Sequence, residues 1–337
     1  MQEARHAEPQ WLDHQYNNRT LVPEHGQHLS RWAEWSAAAR QRPGVLTDVA
    51  YGLAPAEKLD MFLPTRRRRK AAGLAPVLVF IHGGYWRALD KSDHAFVAPA
   101  FTDKGVLVVV PNYTLCPAVT VPDITLQMVK ALAWVYRHIA AHGGDPARVT
   151  VAGHSAGGHL AAMLMCAQWP RVAADLPPAW IHNALCISGL FDLEPLRHAP
   201  FIRDALRLTP AQVRKASPAG LPAPVPQAGR GTVACVAGGA ESSEFLRQNR
   251  LLRKHWGKTA VPVCEALPGL NHFSVLEALV QPRHRLHRLA CSRIDLPPGH
   301  PKADQPAWGQ RPASAAERGG VAHMKRCSPA FSPPRIT

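Results

Sequence analysis

From residue 75 to residue 267 the chain alternates short, unbroken apolar runs with longer amphipathic ones. The runs "APVLVFIHGG" (75–84), "GVLVVVPNY" (105–113), "RVTVAGHSAGG" (148–158), "ALCISGLFD" (184–192), "GTVACVAGG" (231–239) and "AVPVCEAL" (260–267) are rich in Val, Ile, Leu and Ala and bounded by Gly or Pro. They lack polar alternation, which predicts strands buried on both faces. Between them, "PDITLQMVKALAWVYRHIAAHGGD" (122–145), "GGHLAAMLMCAQW" (157–169) and "SSEFLRQNRLLRKHWG" (242–257) predict helices, and a last short helix is expected after Asn271. Strands separated by helices imply an α/β fold with a mostly parallel sheet covered on both faces. Such sheets place ligands at the carboxyl ends of their strands.

The flanks read differently. "LSRWAEWSAAARQR" (29–42) sets Leu29, Trp32 and Trp35 at helical spacing, with Ser30 as a cap and Pro43-Gly44 as a stop; "LDMFLP" (59–64) is a short strand. The expected division is an N-terminal arm at 1–28, one α/β domain at 29–289 and a tail at 290–337. The proline-rich stretch at about 193–230, with short helical pieces, reads as a cap segment within that domain. The tail is rich in Pro, Gly and polar residues without periodicity, which predicts disorder.

The formal net charge of +15 invites a nucleic-acid reading. Its distribution argues against one: "RRRRK" at 66–70 supplies five charges, and from Gln281 onward ten Lys/Arg face three Asp/Glu. Basicity confined to one loop and one tail is a solvated surface, not a groove. The seven cysteines are scattered singly, without a C-x-x-C pair, and read as reduced thiols. The 18 histidines form no H-E-x-x-H or other ligand pattern, so no metal and no cofactor is expected. The polar start, without an apolar h-region, and the absence of any run of about 20 apolar residues point to a cytoplasmic protein away from membranes.

Two motifs fall at strand ends. "GHSAG" (153–157) fits G-x-S-x-G between a strand and a small-residue helix, the setting in which a nucleophilic serine sits on a sharp turn. Ser155 is the candidate nucleophile, and the bland alternative is a tight turn with a capping serine. A serine hydroxyl needs a base, and His272 in "LPGLNHF" follows the last strand. His154, His182 and His198 have no comparable position. For the acid two carboxylates stay open: Glu241 after the strand preceding that of His272, and Asp192 one strand earlier. Glu241 is favoured, and Glu244 reads as a first-turn helix charge. "HGGYW" (82–86) ends the first buried strand on two glycines. Backbone N–H groups of Gly83 and Gly84, with that of Ala156, can point at a developing oxyanion only where no side chain intervenes. His82 braces the loop, while Tyr85 and Trp86 line the entrance, core packing being the alternative for Trp86.

"HGGYW", "GHSAGGHLA", "SGLFDLEPL", "GGAESSEFLRQ" and "NHF", in this order, resemble the α/β-hydrolase kynurenine formamidases (arylformamidases) and their esterase-like relatives, from about Trp11 to Leu289. The resemblance implies an α/β-hydrolase fold with Ser155 as nucleophile, His272 as base and Glu241 as acid, and it puts Gly83, Gly84 and Tyr85 in the oxyanion loop. Animal formamidases carry Asp where Glu241 stands. The implied activity is hydrolysis of an aryl formamide such as N-formyl-L-kynurenine in tryptophan degradation, without a cofactor. The alternative is a short-chain carboxylesterase using the same residues, which sequence cannot separate. The expected partner is a small-molecule substrate, with no nucleic acid and no membrane; a homodimer stays open.

Overall fold

The computed structural model describes residues 8–65, 73–226 and 231–294. The basic run at 66–70 and the tail from 295 on, read above as solvated loop and disordered extension, lie outside the described residues. In chain order, helices α1 (Pro9–Tyr16) and α2 (His25–Arg40) precede strands β1 (Val45–Ala50), β2 (Lys58–Phe62), β3 (Ala75–Ile81) and β4 (Leu107–Pro111). Helix α3 (Val121–His138), strand β5 (Gly144–His154), helix α4 (Ala156–Met165) and strand β6 (Ile181–Ile187) follow. Helices α5 (Pro200–Leu206) and α6 (Pro210–Ala216) separate β6 from β7 (Thr232–Gly238). The described chain closes with α7 (Ser243–Ala260), β8 (Val263–Leu267), α8 (Ser274–Leu279) and α9 (Arg285–Arg293).

The strands form one eight-stranded sheet in the order β1-β2-β4-β3-β5-β6-β7-β8. Its first two pairings, β1 with β2 and β2 with β4, are antiparallel, and the rest are parallel. The apolar runs are explained by burial on both sides. Val77, Val79 and Ile81 belong to one core with Leu132, Leu160 and Phe245 of α3, α4 and α7. Leu78 and Phe80, pointing the other way, share a second core with Trp32 of α2, Phe96 and Leu276 of α8. Neither face of β3 meets water, so no position along it favours a polar residue.

Local chemistry sets the element ends. Helix α3 opens with a capping box, in which Asp123 N donates to Thr120 Oγ1 at 3.3 Å and Thr120 N donates to Asp123 Oδ2 at 2.9 Å. It ends at His138, short of the expected 145, because Gly144 already starts β5. A Cβ there would lie 2.7 Å from Ile139 Cγ1 and 2.8 Å from Val77 Cγ2. Helix α2 begins at His25, so Ser30 is an interior residue rather than its cap and the boundary at 28/29 falls inside the helix. Likewise α9 runs through the boundary at 289/290: Leu286, Leu289, Ala290 and Ile294 are all buried in the second core. Strand β1 gave no sequence signal because it is a largely exposed edge. Over the segment expected as a cap, α5 packs against α1 and α6 against α3. Among the described residues no helix is long and apolar enough to cross a membrane.

One polar cluster pins the loop after β3 to the sheet. Asp60 of β2, wholly buried, accepts from Asp48 N at 2.9 Å, from Lys91 Nζ at 3.1 Å and from Arg40 Nη1 of α2. Burial alone would lower the Lys91 ammonium, but Asp48 and Asp60 hold it above its ordinary value. Removing the shared carboxylate leaves Arg40 without its acid partner and Lys91 with Asp48 alone. Asp60→Ala is therefore expected to cost about 3–5 kcal/mol, read from the urea unfolding midpoint; a loss below about 1 kcal/mol would show that the cluster does not hold the fold.

Candidate active site

Ser155 sits between β5 and α4 with φ 58° and ψ −119°, backbone that L-residues rarely adopt. Such strain costs about 1–3 kcal/mol and persists only where the surroundings over-determine it. Here Ser155 N donates to Ile187 O at 2.8 Å and His159 N donates to Ser155 O at 3.1 Å. Two glycines make the turn possible by closeness. A Cβ on Gly157 would lie 2.0 Å from Ile81 O, and one on Gly153 would lie 2.1 Å from Gly157 O. The Ser155 side chain is buried, and its Oγ makes no hydrogen bond to a described residue. Hydrogen bonds of this kind are often long in unliganded sites and tighten on binding.

His272 follows β8 and lies beside this turn, its ring 4.7 Å from that of His154, whose Nε2 donates to His272 O at 2.8 Å. Its Nδ1 donates to Glu241 Oε2 at 2.7 Å. The other carboxylate oxygen, Oε1, accepts from Ser188 Oγ at 2.5 Å and from Gly238 N at 2.6 Å. Held in this way, the Glu241 carboxylate fixes the tautomer that leaves His272 Nε2 free to accept a proton. Asp192 is not brought to His272: its oxygens accept from Glu194 N at 3.1 Å and Arg247 Nη2 at 3.4 Å. Glu244 does lie in the first turn of α7, yet it is buried, accepting from Tyr16 OH at 2.7 Å and Arg247 Nε at 2.9 Å.

The loop after β3 leans on the serine. A Cβ on Gly83 would stand 2.8 Å from His154 O and 3.2 Å from Ser155 Cβ, and Gly84 has φ +103° with Ala88 O 2.0 Å from the same construction. The N–H groups of Gly83 and Gly84 donate to no backbone carbonyl among the described residues. That of Ala156, first residue of α4, has no partner within its helix. His82 is stacked on Tyr113 (4.2 Å, 5°), with ring nitrogens 2.8 Å from Gly83 O and 2.9 Å from Asn112 Oδ1. Tyr113 OH donates to His82 O at 3.0 Å.

Of the two aromatic residues, only Tyr85 reaches the rim. Trp86 is wholly buried, edge-on to His159 at 5.0 Å, because its backbone turns back with φ 54° into the core; the expected entrance lining is corrected to packing. Tyr85 is partly exposed, and its OH donates to Tyr16 O at 2.5 Å and accepts from Asn18 Nδ2 at 3.5 Å. Burial, then Tyr16 and Glu241, push its phenol well above the ordinary range, so it stays protonated. Sequence reasoning missed Ser188, Asn112 and the α1 residues that grip Tyr85. "SGLFD" and "PNY" were in view, but nothing local says what their side chains meet.

The BD-FAE family model matches residues 59–172. Kynurenine formamidase of Danio rerio is 29% identical over 272 residues, 79% of this chain and 88% of that protein. The Drosophila melanogaster kynurenine formamidase is 28% identical over 265 residues, 76% and 81% of the two chains. Among solved structures, a proposed thioesterase from Silicibacter sp. is 30% identical, covers 82% of this chain and 97% of its own, and superposes with a TM-score of 0.67. With a mostly parallel eight-stranded sheet and a serine on a strand-to-helix turn, this is an α/β-hydrolase, and the chain is a serine hydrolase. Within that class it is similar to kynurenine formamidases and their esterase-like relatives.

The site rests on buried neutral histidines. Burial lowers His94 to about 3 and His159 to about 4, and holds His154 well below its ordinary value, with the His272 charge the next cause. In the unfolded chain the same groups titrate near about 6.5. As pH falls below that value the unfolded state takes up protons first, so the stability these histidines contribute is lost between pH 6.5 and about 4. The melting temperature is expected to drop steadily over this window. A flat profile would mean that the three rings take up protons as readily in the fold as in the unfolded chain.

Proposed function

We propose that this chain hydrolyses an aryl formamide such as N-formyl-L-kynurenine, releasing formate and the aryl amine. Ser155 acts as nucleophile, His272 as base and then acid, and Glu241 as the residue that orients and stabilises the imidazolium. The observation that carries this reading is the Glu241–His272 contact at 2.7 Å beside the strained turn of Ser155. Likeness along most of the chain to proteins named kynurenine formamidase supports the substrate class.

The chemistry follows from the groups present. His272 Nε2 takes the proton of Ser155 Oγ as the oxygen attacks the formyl carbon, and the carbonyl oxygen gains negative charge. Backbone N–H groups of Gly83, Gly84, Tyr85 and Ala156 face that charge without an intervening side chain, the device by which one donor contributes roughly 2.7–4 kcal/mol. His272 then delivers the proton to the departing aryl amine. Water activated by the same nitrogen releases formate from the formyl-enzyme. A formyl carbon bears only hydrogen, so attack from a buried serine is sterically easy.

In this reading the described part of the proline-rich segment, 193–226, is a cap over the acyl site and residues 8–28 form part of its rim, supported by the Phe201 ring 5.2 Å from Tyr85. The reaction belongs to tryptophan breakdown in the cytoplasm, where the six unpaired cysteines among the described residues remain reduced. A second reading, hydrolysis of small acyl esters by the same residues, draws on the 30% likeness to a proposed thioesterase.

The test is hydrolysis of N-formyl-L-kynurenine beside p-nitrophenyl acetate, with Ser155→Ala as control. A formamide rate that drops by ~10⁴ or more in the variant is expected. A preference for the ester of ~100-fold or more, about 2.7 kcal/mol of transition-state stabilisation, would replace the formamidase with an esterase.

A further inference from the structure

Two exposed arginines flank the rim that Tyr85 forms. Arg87 lies at the end of the turn that starts at Gly84, its N–H donating to Gly84 O at 3.1 Å, and its guanidinium carbon stands 5.7 Å from the centre of the Phe201 ring. The same Phe201 ring meets Tyr85 edge-on at 5.2 Å. From the other side comes the segment after α1: Asn18 Nδ2 donates to Tyr85 OH at 3.5 Å, and Arg19 is the next residue. Arg87 and Arg19 feel each other's charge; partial burial first, and then Arg19, hold the Arg87 guanidinium below its ordinary value.

Neither cation is compensated by a carboxylate among the described residues, although acids are supplied to arginines elsewhere. Arg31 pairs with Glu277, Arg40 with Asp60, Arg137 with Asp175, Arg197 with Glu194 and Arg247 with Glu244. Tyr85 cannot serve as the counter-charge, because its phenol is protonated and spends its proton on Tyr16 O. Two like charges held together at a rim repel each other unless an anion comes between them. Guanidinium forks on two separate chain segments match the two oxygens of a carboxylate.

We propose that Arg19 and Arg87 form an anion subsite that selects substrates carrying a carboxylate on the group that leaves. The inference rests on the formamidase reading and deepens it. An acyl carbon placed against Ser155, with its oxygen toward Gly83 and Gly84, leaves the rest of the substrate to run out past Tyr85 to the two guanidinium groups. Electrostatic attraction at this rim acts on capture, so it lowers KM rather than raising kcat.

The experiment compares N-formyl-L-kynurenine with its carboxamide, which differs only in the charge and acceptor set of the terminal group. Wild-type protein is expected to favour the carboxylate by at least ~10-fold in kcat/KM, mostly through KM. The Arg19→Gln/Arg87→Gln double variant is expected to lose at least that much of the preference. Arg19 and Arg87 are exposed, and circular dichroism confirms that the variant is folded before rates are compared. A wild-type preference below tenfold, or a double variant that keeps its preference, overturns the subsite. If neither formamide is turned over, the formamidase reading fails by itself. The subsite is then read from competitive inhibition of p-nitrophenyl acetate hydrolysis by L-kynurenine against L-kynurenine amide. The same tenfold criterion decides it: equal inhibition by the two compounds overturns the proposal, and selective loss of the acid's inhibition in the double variant supports it.

Discussion

A close approach of main chain to main chain governs this molecule: the Cα of Gly157 in α4 lies against Ile81 O at the end of β3, with no room for a side chain between them. Helix α4 can start directly after β5 only at that separation, and Ser155 then has no choice but the left-handed turn. The same closeness brings the loop after β3 against the serine, so that Gly83 and Ser155 share one small volume. Strain at Ser155 is sustained by the two sheet cores on either side of β3, which no local rearrangement can open without exposing them.

Around this point the polar groups are held by specific partners. Glu241 is wholly buried as a side chain, yet it accepts from a histidine, a serine and a backbone N–H. Those bonds offset the cost of burying a carboxylate. His154, His94 and His159 are buried and neutral, so they pack as aromatic plates and add no positive charge beside His272. His154 also ties the loop of His272 to the turn of Ser155 through a single hydrogen bond.

The segment before the sheet is less of an appendage than its position in the chain suggests. Tyr16 donates to Glu244 and accepts from Gln248, and its carbonyl accepts from Tyr85. Asp13 accepts from Phe201 N of α5 at 2.8 Å. Arm, the loop after β3 and α5 thus meet around Tyr85.

The sequence by itself determined the parallel sheet, the places of its central strands, and the positions of Ser155, His272 and the two loop glycines. Those features rest on short-range demands: two-sided burial, a turn too tight for side chains, a histidine just after the last strand. It left Glu241 and Asp192 as alternatives, because both follow strands at the same edge of the sheet. Tertiary structure decided between them: Arg247 of α7 and Glu194 N engage Asp192, whereas Gly238 N and Ser188 Oγ aim Glu241 at His272. It also sent Trp86 into the core, gave Tyr85 to the arm and extended the folded chain through α9. Each of these outcomes depends on which distant residue completes a hydrogen bond or fills a space. Periodicity along a chain carries the first kind of information and cannot carry the second.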